Sequence, residues 1–487
     1  MDIYTPNWVR DAVFYQIFPD RFARSVRVAK PDHLEPWDAP PTFRGYKGGD
    51  LYGIIEHLDH IESLGANALY LTPIFQAASN HRYNTHDYYQ VDPMLGGNPA
   101  LRELLTICHA RNIRVILDGV FNHAGRGFFP FHDLLESGTQ SPYRDWFHIQ
   151  SFPLNAYHPY QKPGYSGWWG LASLPKFNTK TPAVREFLWN VATHWLEFGI
   201  DGWRLDAPGE IDDDSFWQEL RHRCRAVNPD SYLVGEVWGD ARRWLQGDQF
   251  DAVMHYELTR VIFGFVGAGT LNREQINKGA YKHIAPLSAE EFDAAIDRLY
   301  NKYHPAVTDV QFTLLGSHDP ARVLTLFDED ESALRLALLF QMTYPGAPCI
   351  YYGDEIGLTG NHDPDNRRPM PWDKLENWNT ELFNYTQHLI RLRREHAALR
   401  RGSFKPLFAR DGVYAYARVL QDECWIVALN VNQQAVKLHV PIVDLPQFKS
   451  ECWEILTGQQ VRIKDQHLTA YNIPARAGAL FRNERRP

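Results

Sequence analysis

The strongest constraint on the fold is an alternation between Phe14 and about Gly402 of eight short apolar runs with segments of helical spacing, which follow all of the runs but one. The runs Phe14 to Phe18, Ala68 to Leu71, Arg114 to Asp118, Gly202 to Leu205, Tyr232 to Gly235, Asp251 to Met254, Phe312 to Leu315 and Cys349 to Tyr352 read as strands. They are nearly continuous in apolar residues, the pattern of strands covered on both faces of a parallel sheet. Between and after them, Leu51 to Leu64, Pro99 to Arg111, Pro182 to Phe198, Asp214 to Val227, Ser288 to Tyr303, Ala333 to Thr343 and Thr380 to about His396 carry helical spacing. Gly65 ends the first helix, while Thr181 and Pro182 open the third as cap and first residue. Eight repeats, with no Gly-rich phosphate turn, predict a closed α/β TIM (β/α)8 barrel over a doubly wound open sheet.

Two stretches break the rhythm. Residues 122–178, rich in Gly, Pro, Tyr and Trp, are too long for a structureless connection and predict an inserted domain after the third strand. After Gly402, Val413 to Val419 and Cys424 to Val431 are β-rich with turn residues between them, predicting a C-terminal antiparallel β-domain. The expected division is therefore a barrel of residues 1–121 and 179–402, an insertion of 122–178 and a β-domain of 403–487. A formal net charge of −9 with no long basic run excludes nucleic acid as the main partner. No apolar stretch reaches membrane-spanning length, and the N-terminus lacks the basic-then-apolar pattern of a secretory leader. Five widely spaced cysteines, an odd number, suggest reduced thiols and a cytoplasmic protein.

In such a barrel the chemistry collects just past the strand C-termini. Asp118 closes the third predicted strand, with Asn122 and His123 just beyond it; Arg204 and Asp206 follow from the fourth, Glu236 and Trp238 from the fifth, and His318 and Asp319 from the seventh. Any one of these carboxylates is ordinary turn chemistry; four at one rim are a site. Arg204 precedes Asp206 by two residues on a strand, so both side chains share a face, and the cation is expected to hold Asp206 ionised, as a nucleophile requires. Neighbouring strands lie about 4.8 Å apart, which suits the roughly 5–5.5 Å carboxyl separation of retaining glycosidases for Asp206 and Glu236.

The motifs Asp118-Gly-Val-Phe-Asn-His123, Gly202-Trp-Arg-Leu-Asp206, Gly235-Glu-Val-Trp238 and Leu315-Gly-Ser-His-Asp319 occur in the order found in the α-amylase family of glycoside hydrolases, which the whole chain resembles. That resemblance implies Asp206 as nucleophile, Glu236 as general acid/base and Asp319 as a third carboxylate binding sugar hydroxyls. It implies that Arg204 orients Asp206, that His123 and His318 donate to the sugar at the scissile bond, and that Tyr83 stacks beneath it. Asp118 and Asn122 are assigned to structure. Trp238 is open between rim packing and a wall of the substrate cleft. Trp168-Trp169 is expected in the core of the insertion, and Glu355 in a structural ion pair.

Leu174-Pro-Lys-Phe-Asn178, Gly247-Asp-Gln-Phe-Asp251, Gly353-Asp-Glu-Ile-Gly-Leu358 and Arg368-Pro-Met-Pro-Trp-Asp373 are similar to motifs of neopullulanases, cyclomaltodextrinases and maltogenic amylases. The resemblance implies a retaining hydrolase of α-1,4, and in some members α-1,6, bonds in cyclodextrins, pullulan and malto-oligosaccharides, with transglycosylation. A debranching enzyme specific for α-1,6 bonds is the alternative, ahead of a glucanotransferase or a non-catalytic glucan binder. The chain departs from the group in three places. The barrel starts at Phe14 without the group's N-terminal β-domain, which leaves monomer and homodimer both open. Where relatives carry Asn and Asp calcium ligands after Asp20-Arg-Phe-Ala23, this chain reads Arg24-Ser-Val-Arg-Val-Ala-Lys30, so no cofactor or metal is expected. After Asp206 it reads Ala-Pro-Gly-Glu210 where the group has Val-Ala-Asn-Glu, on the loop that shapes the acceptor side.

Overall fold

The computed structural model describes residues 3–483 apart from Pro159, Ala268, Gly279, Ala280, His283 and Ala470. The eight runs form one parallel sheet of β1 (Phe14–Ile17), β2 (Ala68–Leu71), β3 (Arg114–Gly119), β4 (Gly202–Leu205), β5 (Tyr232–Gly235), β6 (Ala252–Val253), β7 (Phe312–Leu314) and β8 (Ala347–Tyr351). Each strand pairs with the next from β1 to β6, β8 pairs with both β7 and β1, and the β6–β7 seam closes through a parallel bridge between Met254 and Phe312. The His255 amide donates to the Phe312 carbonyl across that seam at 2.8 Å. The barrel is thus complete, and apart from Arg114 at the start of β3 its strands are buried, as their nearly continuous apolar runs required.

The helices Pro182–Phe198 and Asp214–Val227 span the expected residues, with Gly199 in the left-handed region closing the first and the Asp213 carboxylate capping the second; Thr181 does not cap the first, its hydroxyl donating to the Asp145 carbonyl instead. Leu51 to Leu64 is two helices, Leu51–Glu56 and Leu58–Leu64, rather than one. The break is at His57, whose ring bonds the Gly53 carbonyl and packs on Trp372, with ring centroids 4.0 Å apart, so tertiary contact overrides the local helical pattern. A hairpin of Phe75–Ala77 and Thr85–Val91 and a helix at Tyr256–Val266 have no counterpart in the sequence-based prediction. Only two residues separate the helix from the two-residue strand before it, leaving no turn signal between them.

In the insertion, Phe128, Phe131, Phe147, Tyr165 and Phe177 are buried around the helix Phe129–Ser137. Its last residues return to the barrel rim, where Lys176 forms an antiparallel bridge with His123. Trp169 departs from the core assignment: its backbone is left-handed (φ 50°) and its side chain is 80% exposed, stacked on the partly buried Trp168.

From Ser403 the chain forms an eight-stranded antiparallel sheet. In its strand Val413–Leu420, Val413, Ala415 and Ala417 face a core of the sheet's own, while Tyr414 and Tyr416 pack into the barrel's core, so both faces are buried. Two buried guanidinium groups hold this junction. Arg393 donates to the carbonyls of Met342, Tyr344 and Leu399 (2.9, 2.9 and 3.1 Å), and Arg418 to those of Leu399 and Gly402 (both 2.8 Å).

At the N-terminal end of the barrel, Asp251 holds three partners: Arg221 (2.8 Å), Arg225 (2.7 Å) and the Leu233 amide (2.9 Å). It belongs to the Gly247–Asp251 motif and lies at the opposite end of β6 from the C-terminal rim, so the motif is a structural clamp. Asp251→Ala deprives two guanidinium groups of their shared carboxylate and an amide of its acceptor. It is expected to lower stability by about 3–5 kcal/mol in denaturant melts while leaving kcat per folded molecule near wild type.

Candidate active site

The site is built from the register of β3, β4 and β5. Asp118 lies opposite Arg204, and Leu205 lies opposite Gly235. The ladder runs one step further, the Asp206 amide donating to the Gly119 carbonyl and the Glu236 amide to the Leu205 carbonyl, each at 3.0 Å. Asp206 and Glu236 therefore leave adjacent strands at the same level.

Arg204 is fully buried and binds three carboxylates. Its Nη1 reaches Asp118 Oδ1 at 2.8 Å and Asp206 Oδ1 at 2.9 Å, and its Nη2 reaches Glu236 Oε2 at 3.0 Å. The expectation that Arg204 simply keeps Asp206 charged needs correction. Burial pushes the Asp206 carboxyl well above the ordinary range, the neighbouring charges of Glu236 and Asp118 add to that, and the guanidinium only partly offsets it. Burial also raises Asp118, Glu236 and Asp319 against the same cation. Three carboxyls divide one positive charge, so protons are held by the cluster as a unit.

The remaining donors distinguish the carboxyls. Glu236 Oε2 also accepts from the Ala207 amide and its Oε1 from the Trp238 indole, each at 3.0 Å. Asp118 Oδ2 accepts from Tyr70 (2.6 Å) and Tyr83 (2.8 Å) and has no oxygen left for a substrate, in keeping with its structural assignment. Asp206 Oδ2 is buried and has no hydrogen-bond partner among the described residues. An unpartnered buried oxygen is costly and available for chemistry. Ala207 takes a left-handed backbone (φ 39°, ψ 52°), strained for a residue with a Cβ, and Pro208 then opens a short helical turn. That kink aims the Ala207 amide back at Glu236.

The histidines are neutral and close-packed. Gln16 donates to His318 Nδ1 at 2.8 Å, leaving Nε2 to donate to the Tyr83 hydroxyl at 2.5 Å, and the two rings stack 5.5 Å apart. Burial and nearby arginines pull His318 well below its usual pKa. His123 Nε2 donates to the Tyr83 carbonyl at 3.1 Å, its Nδ1 accepts from Asn122, and burial lowers its pKa to about 4. Both ring nitrogens of each histidine thus have protein partners. Asp319 reaches His318 Nε2 at 3.4 Å and Arg367 at 3.9 Å, and with 34% of its side chain exposed it is the most open of the four carboxylates. Trp238 stacks on Tyr256 with ring centroids 3.4 Å apart; together with its bond to Glu236, this makes it more than rim packing.

Asp206 and Glu236 meet on Arg204, Trp238 is bonded to Glu236, and Tyr83, His123, His318 and Asp319 join them through Asp118. Glu355 lies apart, buried and held by Tyr15 (2.7 Å), His60 (3.0 Å) and the Gly353 amide (2.7 Å), as its structural assignment required. Gln16, Tyr70 and Arg367 escaped the sequence reading. Gln16 had a signal, a lone amide inside the apolar run FYQIF; Tyr70 and Arg367 had none.

Residues 16–402 match the family described as alpha amylase, catalytic domain, and residues 404–482 match a neopullulanase-like C-terminal domain. A cyclomaltodextrinase from Bacillus sp is 45% identical over 87% of this chain and 73% of its own length. Neopullulanase 2 from Thermoactinomyces vulgaris is 42% identical over 95% of this chain and 76% of its own. The crystal structure of a debranching enzyme from Nostoc punctiforme is 47% identical with a TM-score of 0.88, covering 99% of this chain and 100% of that one. With a buried carboxylate cluster at the barrel rim and a family match that spans most of its length, the chain belongs to the α-amylase family of glycoside hydrolases.

Proposed function

We propose that this enzyme is a retaining α-glucan hydrolase that cleaves α-1,4 bonds in cyclodextrins, pullulan and short malto-oligosaccharides, and acts in the cytoplasm, where its five buried, free cysteines stay reduced. The observation that carries the reading is the pairing of Asp206 and Glu236 on one guanidinium with Asp206 Oδ2 left unpartnered. Asp206 Oδ2 attacks the anomeric carbon as the glycosidic C–O bond breaks, and Glu236 gives its proton to the departing oxygen. Glu236, now a carboxylate, takes a proton from water, whose oxygen displaces Asp206 and restores both groups. Positive charge developing on the sugar favours ionised Asp206, which settles the shared proton on Glu236. Asp319 binds sugar hydroxyls, Tyr83 supports the ring, and Trp238 holds Glu236. His123 and His318 keep Tyr83 in place and contact the sugar once it displaces a protein partner. The support for hydrolysis of short and cyclic glucans is the likeness to a cyclomaltodextrinase and a neopullulanase.

A second reading, an α-1,6-specific debranching enzyme, rests on the match to a debranching enzyme along the whole of both chains. Digestion of pullulan separates the two: panose among the products means α-1,4 cleavage, and maltotriose alone means the debranching reading is correct.

Asp206→Ala and Glu236→Gln are each expected to lower kcat by at least about 10³-fold, measured on γ-cyclodextrin at equal folded concentration. Retention of a tenth of wild-type turnover by either variant defeats the assignment. Glu236→Gln also has a stability signature. The folded-state pKa of Glu236 lies above its unfolded value, so its contribution to stability is present in full below the unfolded value and is lost as pH rises through the folded one. The amide removes that loss. Glu236→Gln is therefore expected to melt above wild type at neutral pH and to show a flatter Tm-versus-pH profile on the alkaline side of the unfolded Glu range.

A further inference from the structure

Residues 24–50, between the first barrel strand and its helix, contain no helix or strand, yet Lys47, Gly48, Gly49 and Asp50 at the end of the segment are buried. An irregular segment of this length in a compact domain needs an organising centre. Asp50 supplies one. Its Oδ1 accepts from the Gly53 amide at 2.8 Å, and its Oδ2 accepts from the Ser25 amide at 3.0 Å and lies 2.8 Å from Lys30 Nζ. The same ammonium donates to the Met94 carbonyl at 2.9 Å. The Asp50 side chain is fully buried and that of Lys30 is 15% exposed. The segment's other buried cation behaves alike: Lys47 Nζ donates to the carbonyls of Pro36 and Ala39, each at 2.7 Å, with Glu35 at 3.3 Å. Arg24 reaches the carbonyls of Lys47 and Glu35.

The family resemblance implies a calcium ion in this segment, and the residues do not fit one. Calcium takes six to eight oxygens at 2.3–2.6 Å. Here the oxygens of Asp50 and Met94 stand at hydrogen-bond distance from a nitrogen that already carries the positive charge. Among the described residues no group of three or more His, Cys, Asp or Glu side chains could hold a metal ion.

We propose that the Lys30 ammonium is a built-in replacement for a divalent cation, neutralising Asp50 and tying the 24–50 segment to the barrel, so that the fold is independent of metal. An ammonium offers three donors and a single charge, enough for one carboxylate and one carbonyl. Burial lowers the Lys30 pKa, and Asp50 works against that shift.

Thermal melts of the full chain test the proposal without any substrate, so their outcome is separate from that of the glucan-hydrolase reading. Wild-type Tm is expected to be the same in excess EDTA and in millimolar calcium. Lys30→Met, which keeps the length and removes the charge, is expected to lower Tm by roughly 5 °C and to speed proteolysis within residues 24–50. Lys30→Asp, which places a second carboxylate beside Asp50, is expected to melt low in EDTA and to recover on adding calcium. A fall in wild-type Tm in EDTA overturns the proposal, as does a Lys30→Met protein that melts like wild type. A Lys30→Asp protein indifferent to calcium overturns the assignment of this position as a cation site.

Discussion

One buried guanidinium sets the terms for the catalytic end of the barrel. Arg204 carries three negative groups against its single positive charge. Removing such a cluster from water costs several kcal/mol per ion, so it exists only where strand register leaves no alternative. The register is fixed by backbone pairing along β3, β4 and β5, and it brings Asp118, Arg204, Asp206 and Glu236 within reach of one another before any side chain chooses a rotamer. The excess negative charge is relieved by protons, which the carboxyls hold more tightly than they would in water. A cluster that must keep a proton, with one oxygen that nothing else binds, has what acid-assisted nucleophilic displacement needs. The property that destabilises the fold here is the one that the chemistry uses.

The opposite end of the barrel obeys a different rule. Asp201, five residues before Asp206, accepts from the Val115 amide (2.8 Å), His109 (2.9 Å) and Arg114 (2.7 Å). Asp251 is held by two arginines and an amide. These carboxylates have donors for both oxygens. Asp201 and Asp206 bracket the same four-residue strand, and they differ in partners: both oxygens of Asp201 accept hydrogen bonds, whereas Asp206 Oδ2 has none among the described residues.

The barrel was legible in the sequence because its strands are short, buried on both faces and separated by strong helix signals; eight such units admit few folds. The rim carboxylates were legible because each comes at or just after the end of a strand, where position along the chain becomes position at the rim. Tyr83 is held differently: it lies in the turn of an irregular hairpin, and its place over Asp118 depends on His318 and Gln16, which come from two other strand ends. Local pattern contains none of that. The helix at Tyr256–Val266 was hidden because a two-residue strand runs into it, and His57 breaks a helix for the sake of a contact with Trp372, more than three hundred residues away. Trp169 misled for a related reason. Adjacent tryptophans suggest a core, yet a left-handed backbone at the second turns its ring outward.

The loop after Asp206 ties the carboxylate cluster to the insertion. Ala207 is strained, Pro208 stiffens the turn, and Glu210 ends it by pairing with Lys176 of the insertion at 2.8 Å. Lys176 is the residue whose backbone bridges to His123. A single path therefore runs from Asp206 through the strained turn to the insertion and back to the histidine beneath Trp168. Strain at Ala207 persists because both ends of the turn are anchored, one by the Ala207 amide on Glu236 and the other by the Glu210–Lys176 pair. The turn therefore touches both the insertion and Glu236. Ala-Pro-Gly-Glu, where this chain departs from the group's Val-Ala-Asn-Glu, is thus the segment that joins the rim carboxylates to the insertion.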